Sequence, residues 1–210
     1  MSDDWYRLRE WNKKNEDAFF ARLKRSRGQF HKAQYLRIQA GYIESKYPEA
    51  ALKLLDLVIE EYPEPFELAQ TYLQKAHCLV ALSRPDEAIE YFRKVLKQEE
   101  EYRNGLTVGY LDYPVFVVTT ERKELYNEVK EILLSHTKRL LFASDYYRYH
   151  AALAIIAWDR GSTSEAKEHA NAAIEAASKE HSGFRYHPKA GLVKKQDGKI
   201  KKLLNKIQKA

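Results

Sequence analysis

Two pairs of alanines, Ala76 with Ala88 and Ala154 with Ala166, have the same twelve-residue separation, and each pair sits among apolar residues at helical spacing. Small residues at fixed register in consecutive helices imply close helix approach. Large residues three or four positions away then fill the space between one helix pair and the next. In "YLQKAHCLVALSRPDEAIEYFRKV" the set is Tyr72, Ala76 and Leu79, then Ala88, Phe92 and Val95. In "HAALAIIAWDRGSTSEAKEHANAA" it is His150, Leu153, Ala154 and Ala157, then Ala166, Ala170 and Ala173. A third copy, Leu36, Ala40 and Ile43 followed by Ala51, Leu55, Val58 and Pro63, has a loop one residue shorter.

Over residues 34–178 this pattern resembles the tetratricopeptide repeat, a helix–turn–helix unit that stacks into an array. The resemblance implies an all-α fold, a right-handed array of about four antiparallel helix pairs. Three positions depart from the family pattern. Gln39 and Lys75 stand where an aliphatic residue is usual, and His150 stands where Trp is typical. Ala88 and Ala166 are 78 residues apart, about two repeats, so residues 103–142 are expected to be a degenerate repeat. Within it "YPVFVVTT" has the β-branched content of a strand, yet a lone strand has nothing to pair with. A helix is therefore expected, capped by Asp112 with Pro114 in its first turn.

The expected organisation is an N-terminal helix over 1–30, repeats over 31–180, and a strap with a basic helix over 181–210. The first helix is expected from Trp5, Leu8, Phe19 and Leu23, with Gly28 as its stop. Ser162 and Glu165 form a candidate capping box. At the far end Ile200, Leu203, Leu204 and Ile207 recur at i, i+3, i+4 and i+7, the mark of a short amphipathic helix.

Gly and Pro number only 8 and 6, too few to punctuate many short strands. The single cysteine, Cys78, excludes an intramolecular disulfide framework and fits a reducing compartment. No apolar run approaches the roughly 18 residues of a membrane helix, and "MSDDWYRLREWNKKN" lacks a signal-peptide core. A cytoplasmic location is expected. Charge is uneven. Residues 1–35 carry +4, residues 36–178 carry −6 and residues 179–210 carry +8. Basic ends admit nucleic acid or an acidic partner, or a tail lying on the chain's own acidic body.

The chemistry of a catalytic site is missing. No nucleophile elbow and no Gly-rich phosphate loop occur. His181 and His187 are six apart, and Glu165 and His169 four apart, without the third close ligand zinc usually takes. No metal, cofactor or enzymatic activity is expected, and Cys78 in "KAHCLVAL" reads as a buried thiol. The resemblance instead implies an adaptor that binds an unidentified protein or peptide on the concave face formed by the first helices. By position that face comprises Gln34, Arg37 and Glu44 from one repeat and Gln70, Leu73, His77 and Val80 from the next. Arg148, Ile155, Trp158 and Asp159 come from the last. Nucleic acid is the less favoured partner, since no recognition signature accompanies the basic ends. A membrane surface is excluded by the short final helix without aromatic anchors. Leu73, Val80, Ile155 and Trp158 would be costly to leave open. The stretch "HSGFRYHPKAGLV", with Phe184, Arg185, Tyr186, His187 and Leu192, is expected to cover them as an extended strap.

Overall fold

The computed structural model describes residues 4–210. Their regular structure is helical, without a strand among the described residues: α1 (Lys13–Arg25), α2 (Gln29–Ile43), α3 (Pro48–Glu61), α4 (Pro65–Ala81), α5 (Pro85–Glu101), α6 (Gly109–Thr119), α7 (Tyr126–Ser135), α8 (Ala143–Asp159), α9 (Thr163–Ser178) and α10 (Gly198–Lys209). Among the described residues no helix is long and apolar enough to cross a membrane. The chain divides into two compact units, Met1–Gly109 and Tyr110–Ala210.

In the first unit α2 pairs with α3 and α4 with α5. The residues of the repeat register form the core. Leu36, Ala40, Ile43, Ala51, Leu55, Val58, Ala76 and Ala88 have at most trace exposure, as do Phe92 and Val95. Proline starts α3, α4 and α5 as Pro48, Pro65 and Pro85, where a missing N–H costs nothing and φ is already helical.

The N-terminal helix is shorter than the sequence periodicity indicates. Part of the expected helix, residues 1–3, lies outside the described residues. Asn12 caps α1 by accepting the Asn15 N–H at 3.0 Å, so Trp5 and Leu8 precede the helix. Trp5 packs against Phe19 and Tyr35 at ring-centroid distances of 5.3 and 4.9 Å. Gly28 does not stop α1, which ends at Arg25. At φ 81° it sits at the N-cap of α2 instead.

The departure at Gln39 belongs to this segment. Gln39 is fully buried. Its side-chain oxygen accepts the Leu8 N–H at 2.9 Å, and its amide donates to the Leu8 carbonyl at 2.8 Å. An irregular segment lying on a helix leaves backbone groups that need partners, and this one side chain supplies two. The departure at Lys75 is also partnered, by an ion pair to Asp56 of α3 and a cation–π contact to Tyr91 of α5 at 4.5 Å.

In the second unit α8 and α9 form the tightest pair. Ala154, Ala157, Ala166, Ala170 and Ala173 are buried between them. Residues 103–142 contain the expected helix. It starts at Gly109, so Asp112 lies within the first turn and not at the cap, and Pro114 lies inside the helix and not in its first turn. Long side chains connect this region's elements. The Tyr113 hydroxyl lies 2.9 Å from Glu128, and the Tyr110 hydroxyl donates to the Arg139 carbonyl at 3.1 Å.

One turn recurs three times. After α4, α6 and α8 the chain enters the left-handed region at Ser83 (φ 57°), Glu121 (φ 57°) and Gly161 (φ 78°). In each case the next N–H reaches back five residues: Arg84 to Leu79, Arg122 to Val117 and Ser162 to Ala157, at 2.9 to 3.0 Å. This is the Schellman arrangement that ends a helix and aims the chain into the next. The same stop after α6 turns the chain from that helix towards α7. The capping box expected at Ser162 and Glu165 does not form. Ser162 makes no side-chain cap, and Glu165 pairs with Lys130 at 2.8 Å.

Helix α10 lies against α9 and α8 as α4 lies against α3 and α2. Asp197 caps it, accepting the Lys199 and Ile200 N–H groups at 2.8 and 3.1 Å. Ile200, Leu204 and Ile207 are buried, while Lys199, Lys201, Lys202, Lys206 and Lys209 face solvent.

A polar seam between first helices

In the first unit α2 and α4 run side by side, and their facing residues are about one repeat apart in sequence. Arg37 forms an ion pair with Glu67, whose exposure is 1%. A turn further on, Gly41 faces Gln74. A Cβ at Gly41 would stand 2.6 Å from the Gln74 amide nitrogen, so the absent side chain is what admits Gln74. A turn beyond that is half-buried Glu44. Burial pushes its carboxyl above the usual range, partly opposed by the nearby His77. Burial, with Glu44 adding to it, also raises the Cys78 thiol to about 12. That thiol therefore stays protonated and unreactive at neutral pH.

The seam holds three buried acceptor atoms without a hydrogen-bond partner among the described residues: Glu44 Oε2, Glu67 Oε1 and Gln74 Oε1. Buried polar atoms are normally paired, because leaving one unpaired costs on the order of 1–3 kcal/mol. Gln34, Gln70 and His77 are half-buried beside the seam, and Val80 is exposed. Leu73 is different from its expected role. At 1% exposure it belongs to the core and does not line an open groove. Sequence reasoning overlooked Gly41, Glu67 and Gln74. The available signal was spacing, since Glu67 follows Arg37 by 30 residues and Gln74 follows Gly41 by 33.

In the second unit Arg148 of α8 pairs with Asp112 of α6. Ile155 is buried. It borders a shallow cavity of about 190 Å³ shared with Val118, Asp159 and, from α10, Ile200 and Leu203. Asp159 accepts the Tyr126 hydroxyl at 2.9 Å and lies 3.2 Å from the Lys123 ammonium. Desolvation, followed by that bond, pushes the Tyr126 hydroxyl well above its ordinary range. Trp158 is half-buried, with the Lys206 ammonium 5.8 Å above its ring.

The cover over Ile155 and Trp158 is thus α10, not the strap. Phe184 is 49% exposed and Tyr186 79%, and Arg185 and His187 also face solvent. The segment folds on itself. The Ser182 N–H bonds the Pro188 carbonyl at 2.8 Å, and the Ser182 hydroxyl donates to the His187 carbonyl at 2.7 Å. These local bonds satisfy the backbone without burying the side chains. Attachment to α8 comes from Phe142, whose ring lies 5.8 Å from Phe184, and from the Gly191 carbonyl, which accepts the Ser144 N–H at 2.8 Å. Residue 191 must be glycine, because φ is +64° and a Cβ would collide with the Phe142 ring at 2.2 Å. Leu192 is half-buried.

Residues 69–102, most of α4 together with the turn and α5, match the family model of the tetratricopeptide repeat. The chain is a TPR-like helical-repeat protein. No curated protein and no solved structure matches it. In a TPR-like array the first helices of successive repeats adjoin. The α2–α4 seam lies between two such helices, at the positions Arg37, Glu44 and His77 that the resemblance assigns to the concave face.

Proposed function

We propose that this TPR-like protein is a non-enzymatic adaptor of the cytoplasm. It binds a protein or peptide partner on first-helix faces, with Gln34, Arg37, Glu44, Gln70, His77 and Val80 in the first unit and, taken separately, Arg148, Trp158 and Asp159 in the second. Tetratricopeptide repeats in general mediate protein interactions. The observation that carries the reading is the trio of unpaired buried acceptors along α2 and α4. Sites that retain unpaired polar groups at a stability cost are commonly functional ones. A partner offering N–H donors, with side-chain rotation at Glu44, Glu67 and Gln74 that brings these oxygens to the surface, would satisfy them.

A second reading has its own observation. The basic tail loop presents Arg185 and Tyr186 to solvent, residue types that often dominate binding energy. An acidic or nucleic-acid partner could be recognised there. The two readings separate in one pull-down from host extract with mass spectrometry. Immobilised wild type and a Lys53→Glu control on the exposed side of α3 should retain the same partner. A Gln70→Arg/Val80→Glu double variant should lose it. Retention by that variant, with loss on Arg185→Ala/Tyr186→Ala, would overturn the first-helix reading in favour of the tail.

A further inference from the structure

The remaining departure from the repeat pattern is His150, on α8, and the fold brings it against His169 of α9. The two Nδ1 atoms are 3.0 Å apart, with ring centroids at 5.1 Å and planes inclined by 38°. The Tyr149 ring meets His150 edge-on at 5.0 Å, and the Tyr146 ring stacks on it at 6.5 Å, so the first ring is held in place. Both imidazoles are half-buried.

The geometry points to a site for a divalent late first-row metal ion such as Ni²⁺, Cu²⁺ or Zn²⁺, held by His150 Nδ1 and His169 Nδ1. Metal–imidazole bonds are about 2.1 Å long, so two such nitrogens at a right angle on one ion lie about 3.0 Å apart. That is the separation observed before any ion enters. Imidazole is a good ligand for these ions. It must be neutral to bind one, and burial holds both rings below the usual histidine range. With both neutral, one Nδ1 carries a proton and donates it to the other. Metal entry needs this proton to move to Nε2 of its own ring and the two rings to turn so that both Nδ1 lone pairs aim at one ion; no net proton is released.

The charges facing the pair favour a cation. Glu168 adjoins His169, and Glu165 lies one turn before it. Among the described residues the opposing charge near them is Lys130, which is already paired with Glu165. Among the described residues no third His, Cys, Asp or Glu completes a ligand set. The other coordination positions therefore belong to water or to a donor from outside the chain. The site is consequently exchangeable and does not hold the fold together. Spacing along the sequence does not reveal it, because the two ligands are 19 residues apart and sit on two helices, not on one.

The test is calorimetric titration of the full chain with NiCl₂, and separately CuCl₂ or ZnCl₂, in a non-coordinating buffer. One ion per chain is expected, with Cu²⁺ bound more tightly than Ni²⁺. His150→Gln and His169→Gln should each weaken Ni²⁺ by more than about tenfold while leaving the helical circular-dichroism signal intact, since losing one of two ligands removes the chelate. His181→Gln/His187→Gln should change nothing. Binding should weaken as pH falls from 7.5 towards 5.5, where protons compete for the rings. Should either variant unfold, Ni²⁺-induced broadening of the His150 and His169 ring resonances in the wild type gives the answer without substitution. No saturable uptake at pH 7.5, uptake unchanged in both single variants, or broadening confined to other histidines would each overturn the site.

Discussion

Gln39 is the residue where a family pattern alone misleads. An aliphatic side chain there would match the tetratricopeptide repeat better, yet Gln39 is buried and holds both backbone groups of Leu8. Gln39→Leu should therefore destabilise the first unit by about 1–3 kcal/mol, the cost of unpaired buried groups outweighing the added apolar surface. Urea unfolding followed by Trp fluorescence would measure it, because Trp5 and Trp11 border the same segment. Unchanged stability would mean that the segment is not anchored by this side chain. Lys75 and His150 were visible in the sequence as departures too. Their partners were not, because Asp56, Tyr91 and His169 are brought near only once the helices pack. A residue that breaks a repeat pattern identifies a position of interest, while the packing decides what it contacts.

At the scale of elements, the helices, their register and the closing amphipathic helix were legible, because a 3.6-residue apolar period and small residues at fixed spacing leave few other ways to bury the apolar face. The N-terminal segment was not. Trp5 and Leu8 fall at helical spacing by chance, and the Asn12 cap starts the helix after them. The strap failed for a related reason. Its apolar content suggested burial, but Ser182 closes the loop locally and Gly191 fixes its exit, so Phe184 and Tyr186 stay outside. The recurring turn was hidden as well, since only one of its three left-handed positions is glycine. Ser83 and Glu121 hold φ 57° with a Cβ present. Relieving that conformation is worth roughly 1 kcal/mol, so Glu121→Gly should raise the stability of the second unit by about that amount. Thermal melts of the full chain would detect this, and a lowered midpoint would mean that the Glu121 side chain supports the turn in another way.

For the whole molecule, stability is divided between the two units and, within each, spread over helix pairs that bury surface mainly against their neighbours. The last pair depends on α10, where Leu204 is 1% exposed. Leu204→Ala should cost about 2–5 kcal/mol, measured as a loss of cooperativity or a lower midpoint in urea. An exposed-lysine substitution such as Lys202→Ala should cost little. Equal effects of the two would mean that α10 is not packed as described.

Helix α10 also settles what the array can do at that end. It occupies, against α9 and α8, the place that α4 occupies against α3 and α2. A first helix from another chain therefore finds its berth taken, and it meets instead an outward face of ammonium groups from Lys199, Lys201, Lys202, Lys206 and Lys209. Stacking repeats are by nature open-ended, and a head-to-tail contact that does not close on itself grows into a filament. In this protein the last pair is completed by α10, which turns its lysines outward and keeps Ile200, Leu204 and Ile207 inside.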